Sequence, residues 1–140
     1  MIDSIKNLSE KYFNKIVAIR RHIHQNPELS FQEHETSKYI KSILDSWNIS
    51  YTDNIAGTGI LAIIEGKNPK KKCIAVRADF DALPIEEENE VEYCSVNKGV
   101  MHACGHDVHT SSMLGAVKIL NELKEEWEGT IKFIFQPAEE

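Results

Sequence analysis

The chain has 140 residues, 41% of them hydrophobic, and 16 basic against 22 acidic side chains give a formal net charge of −6. That length suffices for one domain with its own core, and the acidic balance argues against nucleic acid, which is held by clustered Lys and Arg. No apolar run approaches the length of a membrane span and the first residues lack the pattern of a secretory leader, so a cytoplasmic protein without membrane partners is expected.

In chain order, Ile5, Leu8, Tyr12, Ile16, Ile19 and Ile23 recur at spacings of three and four, the stripe of a long amphipathic helix that Asn26-Pro27 should end. Ser30 and Glu33 have capping-box spacing ahead of Tyr39/Ile40, Ile43/Leu44 and Trp47, which predicts a second helix over 33–48. Beyond the turn-rich stretch 54–59, Ile60–Ile64 and Cys73–Val76 look like paired antiparallel strands, joined by a solvated turn holding Lys67 and Lys70-Lys71-Lys72. Residues 84–100 carry five glutamates between Glu86 and Glu92 and show no period, which predicts a long exposed loop of the kind that often carries function. A third helix should run from Asp107 or Val108 to about Glu126 with Asp107 as its N-cap. Ile131–Phe135 then reads as a buried strand halted by Pro137.

The chemistry concentrates in Met101–His109, where three imidazoles, one thiol and one carboxylate occupy nine residues. In extended chain His102, Cys104 and His106 would project to one side. Thiolate beside imidazole suits zinc or another late first-row divalent ion, whereas magnesium and calcium prefer oxygen ligands. The other cysteines, Cys73 and Cys94, show no C-x-x-C spacing, which fits a reducing compartment. A strand, crossover helix and strand usually lie parallel in one sheet, so the strands ending near Val76 and Phe135 should present their carboxyl ends on one edge. Arg77–Asp81, Cys104–Asp107 and Gln136–Glu140 would then meet. Cys104 and His106 are candidate metal ligands, and Glu139 and Glu140 can divide the tasks of base and ligand. Asp79 or Asp81 can hold an imidazole ligand in its proper tautomer. Plainer roles compete: Asp79 and Asp81 as turn residues, His22 and His24 as structural groups near a helix end, and His34 as a surface residue.

Four stretches resemble one family: Arg20–Phe31 (RRHIHQNPELSF), Arg77–Pro84 (RADFDALP), Met101–Thr110 (MHACGHDVHT) and Phe135–Glu140 (FQPAEE). They resemble the N-terminal part of the amidohydrolase branch of the aminoacylase and carboxypeptidase-type metallopeptidases, which includes hippurate, auxin-conjugate and N-acetyldiaminopimelate hydrolases. The resemblance implies an α/β fold, the N-terminal part of a three-layer sheet-and-helix zinc-peptidase-like catalytic domain with a mixed sheet. Residues 1–140 would be a portion of that domain, with the lid or dimerisation domain and two further histidine ligands outside it. It also implies two divalent ions, Zn, Mn, Co or Ni, in the complete protein. Cys104, His106 and Glu140 would be ligands, Glu139 the general base, and Asp79 and Asp81 the acidic pair near the metals. The substrate would be a small N-acyl amino acid and the complete protein a homodimer. A fragment of this extent is expected to bind metal with vacancies, not to turn over substrate, and to self-associate through its uncovered sheet edge. Two other readings compete: a non-catalytic binding domain whose structural zinc is closed by Cys104, His106, Cys94 and His109, and a peptidase of the same family acting on peptides.

Overall fold

The computed structural model describes residues 1–140. Helix α1 spans Ile2–Gln25 and stops at Asn26-Pro27 as the pattern predicts; α2 spans His34–Ser46 and α3 His106–Glu122. Four strands, β1 (Tyr51–Ile55), β2 (Gly59–Glu65), β3 (Cys73–Asp79) and β4 (Thr130–Gln136), form one mixed sheet in the order β1-β2-β4-β3. The α/β class and the mixed sheet are as expected.

The expected pairing of the second and third strands is corrected. β4 lies between β2 and β3, antiparallel to β2 and parallel to β3. β4 takes the inner place because it buries Ile131, Phe133 and Phe135 on one face and half-buries Ile134 on the other, the profile of a strand with neighbours on both sides. The lysine-rich segment is accordingly no hairpin turn: Pro69–Lys71 form a single 3-10 turn, and Lys71 pairs with Glu128 in the connection that leads into β4. β1 was not anticipated, being a polar edge strand with an irregularity between Thr52 and Ile55.

Two helix caps also differ from expectation. Ser30 does not cap α2; the Glu28 carboxylate accepts the backbone N–H groups of Glu35 and Thr36 at 3.2 and 2.7 Å. Asp107 lies inside the first turn of α3, whose N-cap is Gly105 at φ 94°, a left-handed conformation that glycine adopts without penalty.

Ile60, Ala62, Ile64, Ala78, Ile131, Phe133 and Phe135 of the sheet form one apolar core with Ile19 and Ile23 of α1, Ile40 and Leu44 of α2, and Leu114 and Val117 of α3. The helices thus gather on one face of the sheet, and Leu61, Ile63, Lys132 and Ile134 on the opposite face are half-covered or exposed. β3 forms one edge and leaves Ile74 and Val76 exposed. Residues 84–100 lack helix and strand, as expected, but Glu87 departs from the exposed reading, its side chain being only 4% exposed. No helix is long and apolar enough to cross a membrane.

Candidate metal centre

Because β3 and β4 run parallel with Asp79 opposite Gln136, both strands deliver their following residues to one edge. Phe80 extends the pairing with a bond from its N–H to the Gln136 carbonyl, and α3 begins at the same edge with His106. One donor atom each from Cys104, His106 and Glu140 lies within 4.8 Å of the others; the same holds for Asp79, His106 and His109.

Protonation at His106 follows from its neighbours. Its Nδ1 lies 3.0 Å from both the backbone carbonyl and the carboxylate Oδ1 of Asp81. A carbonyl can only accept, so Nδ1 carries the hydrogen and Nε2 is free to ligate. Nε2 faces the terminal acids, 3.7 Å from Glu139 and 3.8 Å from Glu140.

Asp81, buried, is the organising acid. Its Oδ2 accepts the Ser30 hydroxyl at 2.8 Å and the Glu140 N–H at 3.0 Å, so one carboxylate fixes both the His106 ring and the backbone of Glu140. Burial alone would raise its pKa, but the bonds from Glu140 and Ser30 and the nearby His106 outweigh it and hold the carboxyl below its usual range. Glu33, also buried, supports the neighbouring backbone by accepting the Ala138 N–H and the Thr58 hydroxyl, each at 2.9 Å. Asp79 is held by Arg77 Nε at 2.7 Å, and Arg77 also lies 3.8 Å from Glu139.

The Cys104 thiol has its pKa raised, first by a hydrogen bond with Glu140, then by burial and by the negative charge of Glu140, Glu139 and Asp81. A thiol among acids with little compensating positive charge is the surrounding a cation relieves, since coordination removes the thiol proton and neutralises the carboxylates. Thiolate, imidazole and carboxylate form a donor set that fits zinc or a similar ion, and three protein donors leave a coordination position open.

Cys104, His106, Glu139, Glu140, Asp79 and Asp81 therefore all come to one edge. His102 does not join them: it is buried with neither ring nitrogen hydrogen-bonded, and burial lowers its pKa to about 4. The closed site of Cys94, Cys104, His106 and His109 does not form either, because Cys94 bonds locally to the Asn89 carbonyl and the Val91 N–H. His22 is exposed and stacks on Tyr39, and His34 is exposed. Sequence reasoning missed Ser30 and Glu33 as supports of the site; their S-x-x-E spacing signalled only a cap. It offered His109 only as a ligand of that closed site and not beside Asp79 and His106, although H-x-x-H spacing on a helix places both rings on one face.

Comparison with known proteins bears on this arrangement. Residues 75–140 match peptidase family M20/M25/M40. An IAA-amino acid hydrolase of Arabidopsis thaliana is 50% identical over 132 residues, which is 94% of this chain and 30% of that protein. An N-acyl-L-amino acid amidohydrolase of Geobacillus stearothermophilus is 44% identical over 138 residues, 99% of this chain and 37% of that protein. Among solved structures, a dinuclear metal-binding peptidase of the same family from Bacillus subtilis superposes with a TM-score of 0.85 at 44% identity, over 92% of this chain and 36% of that one. The chain thus spans about a third of the length of these relatives.

Proposed function

We propose that the chain belongs to peptidase family M20/M25/M40, a reading supported by the match over residues 75–140 and by its relatives, that Cys104, His106 and Glu140 hold a divalent ion, and that the complete protein hydrolyses the amide bond of N-acyl amino acids. Zinc, manganese, cobalt and nickel all suit the donors, and a second ion beside the first would draw on Asp79 or on residues outside these 140. We further place the enzyme in the cytoplasm, acting on a small soluble substrate. The observation that carries this reading is the convergence of a thiol and an imidazole from the stretch that opens α3 with a carboxylate from beyond β4, within 4.8 Å of one another.

An ion bound by these donors would polarise an amide carbonyl and acidify an attacking water. The protein supplies the rest. Glu140 is turned toward His106 by the bond from its N–H to Asp81. Glu139, the adjacent residue, keeps its side chain 41% exposed on the open side of the site. From there its carboxylate takes the proton of the water attacking the amide and returns it to the leaving nitrogen. Asp81 keeps the His106 hydrogen on Nδ1 throughout, and Arg77 holds the Asp79 side chain in place beside the centre.

The test is Glu139→Gln in the complete protein, assayed on N-acetyl amino acids with metal content measured in parallel. Turnover should fall at least 10²-fold, on the scale of about 10²–10⁴ for a lost general base, with metal content unchanged. Wild-type rates in that variant, or hydrolysis that survives thorough chelation, refute the proposal.

A further inference from the structure

His24, near the C-terminus of α1, is buried and has no part in the chemistry above. Its Nδ1 lies 2.7 Å from Asp107 Oδ2 and its Nε2 3.0 Å from Glu87 Oε1, so the ring bridges two carboxylates whose side chains are 1% and 4% exposed. Arg20 Nε is 2.8 Å from the same Asp107 oxygen, close enough for charge attraction but too poorly aligned to donate, and Asp107 Oδ1 has no donor.

One end of this bridge adjoins a candidate ligand and the other belongs to the segment that leads into one. Asp107 directly follows His106 in the first turn of α3. Glu87 organises the irregular segment that leads to Cys104, accepting the Ser95 N–H at 2.6 Å and the Asn89 side-chain amide at 3.0 Å. That segment is docked on the end of α1 by bonds from Val96 N–H to the Gln25 carbonyl and from the Asn97 amide to the Pro27 carbonyl. It closes where Leu83 and Met101 exchange backbone bonds, three residues before Cys104. The burial of Glu87 is the unusual feature, because the other glutamates between Glu86 and Glu92 are exposed.

We propose that His24 is a positioning residue for the metal centre: by bridging Asp107 and Glu87 it pins the first turn of α3 and the 84–101 segment to α1, so that the His106 ring and the Cys104 thiol meet at one ion. Without the ring, two buried carboxylates would face each other and drive apart the two segments that bear the ligands. The inference rests on reading Cys104, His106 and Glu140 as ligands.

The experiment is titration of cobalt(II) into the complete protein, wild type and His24→Gln, following the thiolate-to-cobalt absorption and the dissociation constant, with urea unfolding of the metal-free proteins in parallel. A positioning role predicts a folded variant whose cobalt affinity falls about 10- to 100-fold, the range seen when an outer partner of a ligand is lost, with a weakened thiolate band. A variant that is less stable to urea but keeps wild-type affinity and band overturns the inference, since His24 would then be structural only. Should His24→Gln fail to fold, Glu87→Gln replaces it: it keeps the side chain's size and removes the charge at one end of the bridge, and affinity that falls or stays the same decides in the same sense. Absence of a thiolate band in the wild type would instead overturn the ligand reading itself.

Discussion

Asp81→Asn isolates the acid that joins the two halves of the centre. Asparagine matches aspartate in size, so the effect is one of hydrogen-bond direction. If its oxygen stays against His106 Nδ1, 3.0 Å away, the new NH2 group falls where Asp81 Oδ2 accepts the Glu140 N–H at 3.0 Å, and two donors face each other. The Ser30 hydroxyl, at 2.8 Å, can turn and accept, so it loses little. If the amide flips, its NH2 group faces Nδ1–H, and relief requires moving the ring hydrogen to Nε2, the atom offered to metal; the Asp81 carbonyl at 3.0 Å then loses its donor as well. The first arrangement is the lesser cost. It sacrifices one bond to a charged acceptor, about 1.5–3 kcal/mol, and displaces the Glu140 backbone, which should weaken metal binding about 10- to 100-fold. Urea denaturation of the metal-free protein reads the first quantity, and competition of the protein with a fluorescent chelator for zinc reads the second. An Asp81→Asn protein with wild-type stability and zinc affinity would refute this account of the site.

Other predictions address separate links. Cys104→Ser replaces a soft donor by a hard, weakly acidic one; zinc affinity should fall while the metal-free unfolding free energy stays within about 0.5 kcal/mol of wild type, because the residue is exposed, and undiminished zinc binding would remove Cys104 from the ligand set. Phe133→Ala empties the centre of β4, where the ring is 1% exposed; it should cost about 3–5 kcal/mol in denaturation, and a loss below about 1 kcal/mol would mean the core is not packed as described. Acid should act through Glu87, whose pKa is about 2 against an ordinary 4.5: burial alone would raise it, but the bonds from His24, Ser95 N–H and Asn89 bring it down. A carboxyl so depressed contributes stability that is complete above pH 4.5 and is lost as pH falls toward 2, on the order of 1–3 kcal/mol. Comparison of wild type with Glu87→Gln in urea at pH 5 and pH 3 should show the variant losing less stability over that interval, and equal losses would count against the buried bridge.

The chemistry of the centre was legible because its members sit in short stretches directly after β3, before α3 and after β4, and the parallel crossover places those points on one edge. What was not legible depends on partners far away in sequence. Ser30 and Glu33 look like a local cap, yet their oxygens serve Asp81, Thr58 and Ala138, and nothing in S-x-x-E spacing announces partners 51, 25 and 105 residues distant. Asp107 precedes an apolar stripe, the pattern of an N-cap, but Arg20 and His24 draw it inward. Glu87 is one glutamate among five, and only the imidazole across from it distinguishes the buried one. The antiparallel hairpin expected of β2 and β3 failed for the same reason: two apolar runs flanking a lysine-rich turn carry no sign that a third, written more than fifty residues later, will separate them.

That last arrangement bears on how the molecule assembles. The strand that lies between β2 and β3 is the final one to leave the ribosome among these four, so β2 and β3 emerge without the neighbour that satisfies their facing backbone groups. Until residues 130–136 arrive, the nascent chain holds two unsatisfied ladders and an uncovered apolar face, a species exposed to chaperones and to mispairing. Glu139 and Glu140 follow that strand by three and four residues, so its insertion also brings these two acids to the edge where Cys104 and His106 lie.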